Sequence, residues 1–207
     1  MKYLYRIVNI ILAALFFPAV FFLDLIFFRA STSLAKYGLE ESISLKRIID
    51  IFTGNDPLSN LVKSDKGFTW PEGLAPLNAR LIAAAVALGV AALAALFIII
   101  FSICSGKRIP VLAAAGVGLA ATIVMIACFN SAAGDVVNGT VNIVSAIGGS
   151  SLITALIGGV VSIDKLMLGG FHNGLLIIFI LLIVWTASYM LIELGDKSAD
   201  GKKPKSR

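Results

Sequence analysis

Four stretches of this chain are as long and as apolar as a lipid bilayer is thick. Leu81 to Cys104 runs 24 residues without a charge, Ile109 to Phe129 runs 21, and Leu175 to Ile192 runs 18. Ile7 to Phe28 runs 22, broken only by Asn9, Pro18 and Asp24. A hydrocarbon core about 30 Å thick takes roughly 20 residues of helix. Inside it every backbone N–H and C=O must bond within the segment, so each run is expected to be a helix. The expected fold is an all-α integral membrane protein. It is a bundle of four transmembrane helices over about 7–28, 81–104, 109–129 and 174–194, making one membrane domain over 1–195. Composition agrees: 58% of residues are hydrophobic and 14% charged, where soluble domains carry about 25% charge.

Lys2 and Arg6 imitate the start of a signal peptide. The run behind them is longer than a cleavable core, and Phe28 is too large for the position three residues before Ser31. The first run is read as an uncleaved helix. Orientation follows from Lys and Arg in short flanks. With the N-terminus inside, nine fall in short inner segments and eight in far longer outer ones. That favours a cell (cytoplasmic) membrane protein with both termini cytoplasmic. Residues 196–207, DKSADGKKPKSR, read as a disordered basic tail. The net charge of +5 sits at helix ends and in this tail, so no nucleic-acid partner is expected.

The link SGKRIP between the second and third runs is short enough to force an antiparallel hairpin. Cys104 and Cys128 then lie about 27 Å apart by helical rise, too far to pair. Small residues suggest how these helices pack: Gly89 on the second, and Gly116 with Ala120 on the third, would let backbones approach. The first run is Phe-rich and suits an outer, partner-facing position. Pro18 should kink it.

Residues 141–163 are uncharged but diluted by glycine. The segment is either a fifth span, a re-entrant hairpin or a packing element, and the four-span reading is preferred. Its glycines, Gly148, Gly149, Gly158 and Gly159, would share a helical face for close packing. The outer loop, 31–80, carries six positive and six negative side chains and reads as folded. Within it Leu45, Ile48, Ile49 and Phe52 make one apolar helical face, closed by Gly54. Such a helix lies in the membrane interface or covers the tops of its neighbours. Trp70 is placed as an interfacial anchor.

Little in the chain carries chemistry. His172 is the single histidine. No zinc spacing, phosphate loop or nucleophile elbow occurs, so no catalytic residue, metal or cofactor is expected. Asn138-Gly139-Thr140 matches a glycosylation sequon, a weak signal. The one polar feature that asks for a reason is Asp24. A carboxylate within a span is a candidate site. Three readings stay open. Asp24 could bond a neighbour such as Asn130 or a loop amide. It could form a proton or cation site near an outer vestibule with Asp135. Or the span could end earlier and leave it exposed.

The functional expectation is a non-enzymatic multi-pass protein acting by protein–protein interaction, as an accessory or structural subunit. Its partners would be the bilayer and another membrane protein or a second copy. The rival is a channel or transporter component using Asp24 and residues 141–163. A lipid-acting membrane enzyme ranks third, because few polar groups gather near one interface.

Overall fold

The computed structural model describes residues 2–32, 35–53, 55, 75–105, 107–141 and 161–200. Along these the chain forms α1 (Lys2–Ala14), α2 (Phe16–Phe22), β1 (Asp24–Thr32), β2 (Ala35–Ser44) and α3 (Leu45–Thr53). There follow α4 (Ala75–Cys104), α5 (Arg108–Val137), β3 (Val161–Leu168) and α6 (Phe171–Asp200). Among the described residues four helical segments are long and apolar enough to cross a membrane: Tyr3–Phe22, Ala75–Cys104, Arg108–Val137 and Phe171–Gly195. The expected four-helix architecture is present, and it is mostly helical.

The first segment differs from the expected 7–28. It breaks at Leu15 and resumes at Phe16. Pro18 is the cause: it has no N–H to offer the carbonyl four residues back, at Ala14. The helix then ends at Phe22, and Leu23 is already extended at φ −79, ψ 153. Asp24 therefore opens a strand and does not lie inside a span. From Tyr3 the helix covers about 30 Å by Phe22, a full bilayer core. Stopping there keeps the carboxylate out of hydrocarbon.

The fold is not all-α. β1 is the centre of a three-stranded antiparallel sheet in the order β2-β1-β3. β1 follows α2 after one residue, and β3 leads into α6 through Gly169 and Gly170. A Cβ on Gly169 would overlap the Asp24 backbone carbonyl. The Gly169 N–H also donates to the Leu25 carbonyl at 2.8 Å. One glycine thus ties the last helix to the end of the first.

α3 forms a helix where Leu45, Ile48, Ile49 and Phe52 repeat at helical spacing. Ser44 caps it, its hydroxyl accepting from the Arg47 N–H at 3.3 Å. It packs on α2 and β2, with Leu45 half-buried and Ile49 exposed. The side chains of Ile48 and Phe52, and all of Trp70, lie outside the described residues. So do Gly148, Gly149, Gly158 and Gly159. The flanks of that segment are described. Val141 packs with Leu77, Val136, Ile163 and Leu166, so both flanks sit at the sheet end of the bundle. Val161 to Ile163, expected to close the glycine-rich segment, begin β3. α6 runs on to Asp200, five residues into the tail expected to be disordered. Extending a formed helix needs no new nucleus.

The bundle packs through alanines. Ala84, Ala87, Ala91, Ala94 and Ala95 are buried on α4, and Ala114, Ala115 and Ala121 on α5. The glycine stripe faces the other way. Gly89, Gly116 and Ala120 are exposed, and nothing lies within 4 Å of a Cβ built on either glycine. The hairpin itself is as expected, with α4 and α5 packed along their lengths. Both cysteines are free thiols. α1 and α2 bury Tyr5, Asn9, Ala13 and Phe16 and turn Phe17, Phe21 and Phe22 outward. The Phe-rich face is outer, as expected.

α5 meets α6 tightly at Gly118. A Cβ on Gly118 would overlap the ring of Phe179, which is fully buried and has no room to swing. Gly118→Ala is expected to cost about 1–3 kcal/mol, read as a lowered unfolding temperature in detergent. Phe179→Leu should restore part of it, and a double variant no better than the sum of the two losses would refute the contact. Gly169→Ala should likewise destabilise, while Gly170→Ala, which meets nothing within 4 Å, should not.

Candidate functional site

Two ends of the bundle carry polar structure. At one end lies the sheet. Register puts Glu40, Arg29 and Lys165 in one row across β2, β1 and β3, on one face. All three are exposed. Arg29 is ion-paired with Glu40. Two residues along, Phe27 and Met167 are paired on that same face, and the Lys165 ammonium lies 5.8 Å from the Phe27 ring centre. The opposite face carries Ile26, Leu166 and Leu168, which pack onto the helical core. Alternation along the strands therefore gives one face to the bundle and leaves a charged and aromatic face outward.

The sequence-derived polar residues also sit at this end, with separate partners. Asp24 is exposed and is opposite Ser44 in the strand register. Asp135 is ion-paired with Arg80, whose guanidinium also donates to the Ser131 carbonyl at 3.3 Å. That pair ties the start of α4 to the end of α5. Asn130 is exposed and lines a shallow pocket of about 320 Å³ with Asp164 and Lys165. These contacts do not assemble Asp24, Asn130 and Asp135 into one cation site. His172 bonds the Gly169 carbonyl through Nδ1 at the start of α6. Among the described residues no three of His, Cys, Asp and Glu gather as a metal-binding group.

The other end was not singled out from sequence. Here α1 begins, α4 ends, α5 starts and α6 nears its close. A cleft of about 530 Å³ opens between them, lined by Tyr5, Arg6, Lys107, Arg108, Ile109 and Glu193 among others. Arg108 is its centre. Its guanidinium pairs with Glu193 and lies 4.6 Å from the Tyr189 ring centre and 5.7 Å from that of Tyr5. The two rings pack against each other tilted by 35°, with centres 4.8 Å apart. Cation–π contact strengthens as water is excluded, and the Arg108 side chain is only 17% exposed.

Near this pair lie buried polar atoms without hydrogen-bond partners among the described residues: Tyr5 Oη, both amide atoms of Asn9, Ser102 Oγ, Trp185 Nε1 and Thr186 Oγ1. Asn9 follows Tyr5 by one turn, and Thr186 precedes Tyr189 by about one. Three helices thus place polar groups just beneath the cleft. In sequence only Asn9 signalled this, as an interruption of the first run. Arg108 and Glu193 resembled ordinary solvated charges at span ends.

The chain matches no protein-family model, no curated protein and no solved structure.

Removing one partner of a part-buried ion pair leaves the other charge uncompensated. Glu193→Gln is expected to cost roughly 1–3 kcal/mol, between exposed and fully buried pairs. Arg108→Met combined with Glu193→Leu should recover most of that. Thermal unfolding in detergent checks it, and additive losses in the double variant would show that the two side chains act independently.

Proposed function

We propose that this is a non-enzymatic multi-pass membrane protein that acts by binding another membrane protein, as an accessory or structural subunit. The observation that carries the reading is the outward sheet face. Glu40, Arg29, Lys165, Phe27 and Met167 form a mixed charged and aromatic surface. Aromatic residues, Met and Arg are enriched where proteins bind one another. The surface stands on strands joined to membrane-length helices by one and two residues, so little ordering entropy is lost when a partner docks. The reading includes a cell membrane with both termini cytoplasmic. Its support is the cluster of Lys2, Arg6, Lys107 and Arg108 at the end where the first helix starts and the last one nears its close.

The rival channel or transporter reading drew on a carboxylate inside the first span. Asp24 lies beyond the end of that helix, which removes that ground. Residues 142–160, its other ground, lie outside the described residues.

The test is purification from the native membrane in mild detergent, with particle mass and composition determined. A stoichiometric second protein is expected. Reversing the outward charges with Arg29→Glu and Lys165→Glu should release it while leaving the unfolding temperature of the bundle near that of the parent. A particle of this chain alone, or a partner retained by the doubly reversed variant, would overturn the reading. Unitary ion flux from the pure protein in vesicles would favour the rival.

A further inference from the structure

We infer that the hairpin end of the bundle binds one anionic phospholipid, with its phosphate in the Arg6–Lys107–Arg108 cleft and an acyl chain in the groove between α4 and α5. The inference rests on reading the four long helices as membrane spans. It is independent of the accessory role.

Charge gives the headgroup its sign. Among the described residues the cleft holds Arg6, Lys107 and Arg108 against one carboxylate, Glu193. Glu193 is engaged with Arg108, and Arg6 and Lys107 have no ion-pair partner among the described residues. The backbone adds donors. Lys107 is the N-cap of a 30-residue helix and makes no side-chain cap bond. Helix geometry leaves the N–H groups of Arg108 and Ile109 without intrahelical acceptors. A helix start of this kind favours phosphate. A further polar group points to a ligand independently. Tyr5 lines the cleft, is 2% exposed, and its hydroxyl has no partner among the described residues. A phosphate oxygen is a suitable acceptor for it.

The second half of the site makes the ligand a lipid. Pro110 lines the cleft and also a second hollow of about 390 Å³. That hollow is an apolar groove walled by Val90, Leu93 and Phe97 of α4 and Ala113 and Val117 of α5. It runs about 10 Å along the helices, from the level of Phe97 and Pro110 to that of Val90 and Val117. Leu93, Phe97 and Val117 are exposed, so the groove opens sideways, where acyl chains lie around a membrane span. A free phosphate or an acidic peptide has no use for such a groove. A phospholipid fills both halves, joined at Pro110. The level is also right, because headgroups lie where spanning helices end.

The full-length protein in detergent would be titrated with dioleoyl phosphatidylglycerol, dioleoyl phosphatidylcholine or inorganic phosphate. Binding is followed by unfolding temperature and by native mass spectrometry. Phosphatidylglycerol is expected to stabilise the protein and to remain bound as one lipid per chain, and phosphatidylcholine to do neither. Arg6→Gln with Lys107→Gln should weaken phosphatidylglycerol about tenfold or more, since each basic side chain near a headgroup contributes on the order of 1 kcal/mol. Lys46→Gln, a charge removed from exposed α3 at the sheet end, should leave lipid binding unchanged. Ala113→Leu, which fills the groove from an exposed position, should also weaken the lipid. Unfolding temperatures in phosphatidylcholine show whether each variant is folded. Equal binding of the two lipids, or retention of phosphatidylglycerol by the Arg6/Lys107 variant, would overturn the inference. A response to inorganic phosphate alone that ignores Ala113→Leu would make the site one for soluble phosphate and equally sink the lipid.

Discussion

A carboxylate is costly in hydrocarbon unless it has a partner, and the position of Asp24 limits how far the first helix can run. Twenty residues from Tyr3 to Phe22 span the bilayer core. The chain then turns extended at Leu23, and Asp24 becomes the first residue of β1. Everything at this end depends on that change of backbone. β1 is the central strand, and among the described residues β2 and β3 are joined only through it. β3 in turn delivers the chain to α6 across Gly169, where only the absence of a Cβ lets the backbone pass Asp24. The sheet is therefore an extension of the first and last helices, and its outward face inherits their rigidity.

The bundle beneath obeys a different rule. Between lipid-solvated helices there is little hydrophobic gain from association, so close van der Waals packing must supply it. Alanine faces on α4 and α5 do this, with Gly118 receiving the ring of Phe179. Large apolar side chains such as Leu93, Phe97, Ile123 and Val184 are exposed on the bundle surface. That inversion of the water-soluble pattern is what lipid as solvent requires.

Legibility in the sequence followed the strength of each physical signal. Long uncharged runs announce helices because the bilayer leaves the backbone no alternative, and the four segments were readable, though not their ends: the first stops at Phe22 and not Phe28, and the third runs past Phe129 to Val137. α3 was readable too, since Leu45, Ile48, Ile49 and Phe52 repeat at helical spacing. β1 was not. Beyond Asp24, Leu25 to Phe28 resume the apolar run of α2, so no change of period marks the point where helix becomes strand. The packing stripe was misread for another reason. α4 and α5 have small residues on more than one face, and sequence cannot tell which face meets a neighbour. Gly89 and Gly116 turned out to face away from the bundle. The hairpin-end cleft was hidden because its members are far apart in the chain. Arg108 and Glu193 look like boundary charges until tertiary packing sets one against the other between Tyr5 and Tyr189.

That cleft has an energetic asymmetry. The Arg108–Glu193 pair, flanked by aromatic rings, could be replaced by apolar side chains at little cost to stability. The buried Asn9, Ser102 and Thr186 add expense, because each unpartnered polar atom in an apolar setting loses its hydrogen bonds to water. A bundle selected only for packing would place apolar side chains at these positions, as it does at Ala13, Ile98 and Leu182 on the same three segments. Polar groups from three helices converge instead on the end that also gathers Arg6, Lys107 and an uncapped helix start. Convergence of this kind is what a ligand-binding end needs and what a purely structural end does not.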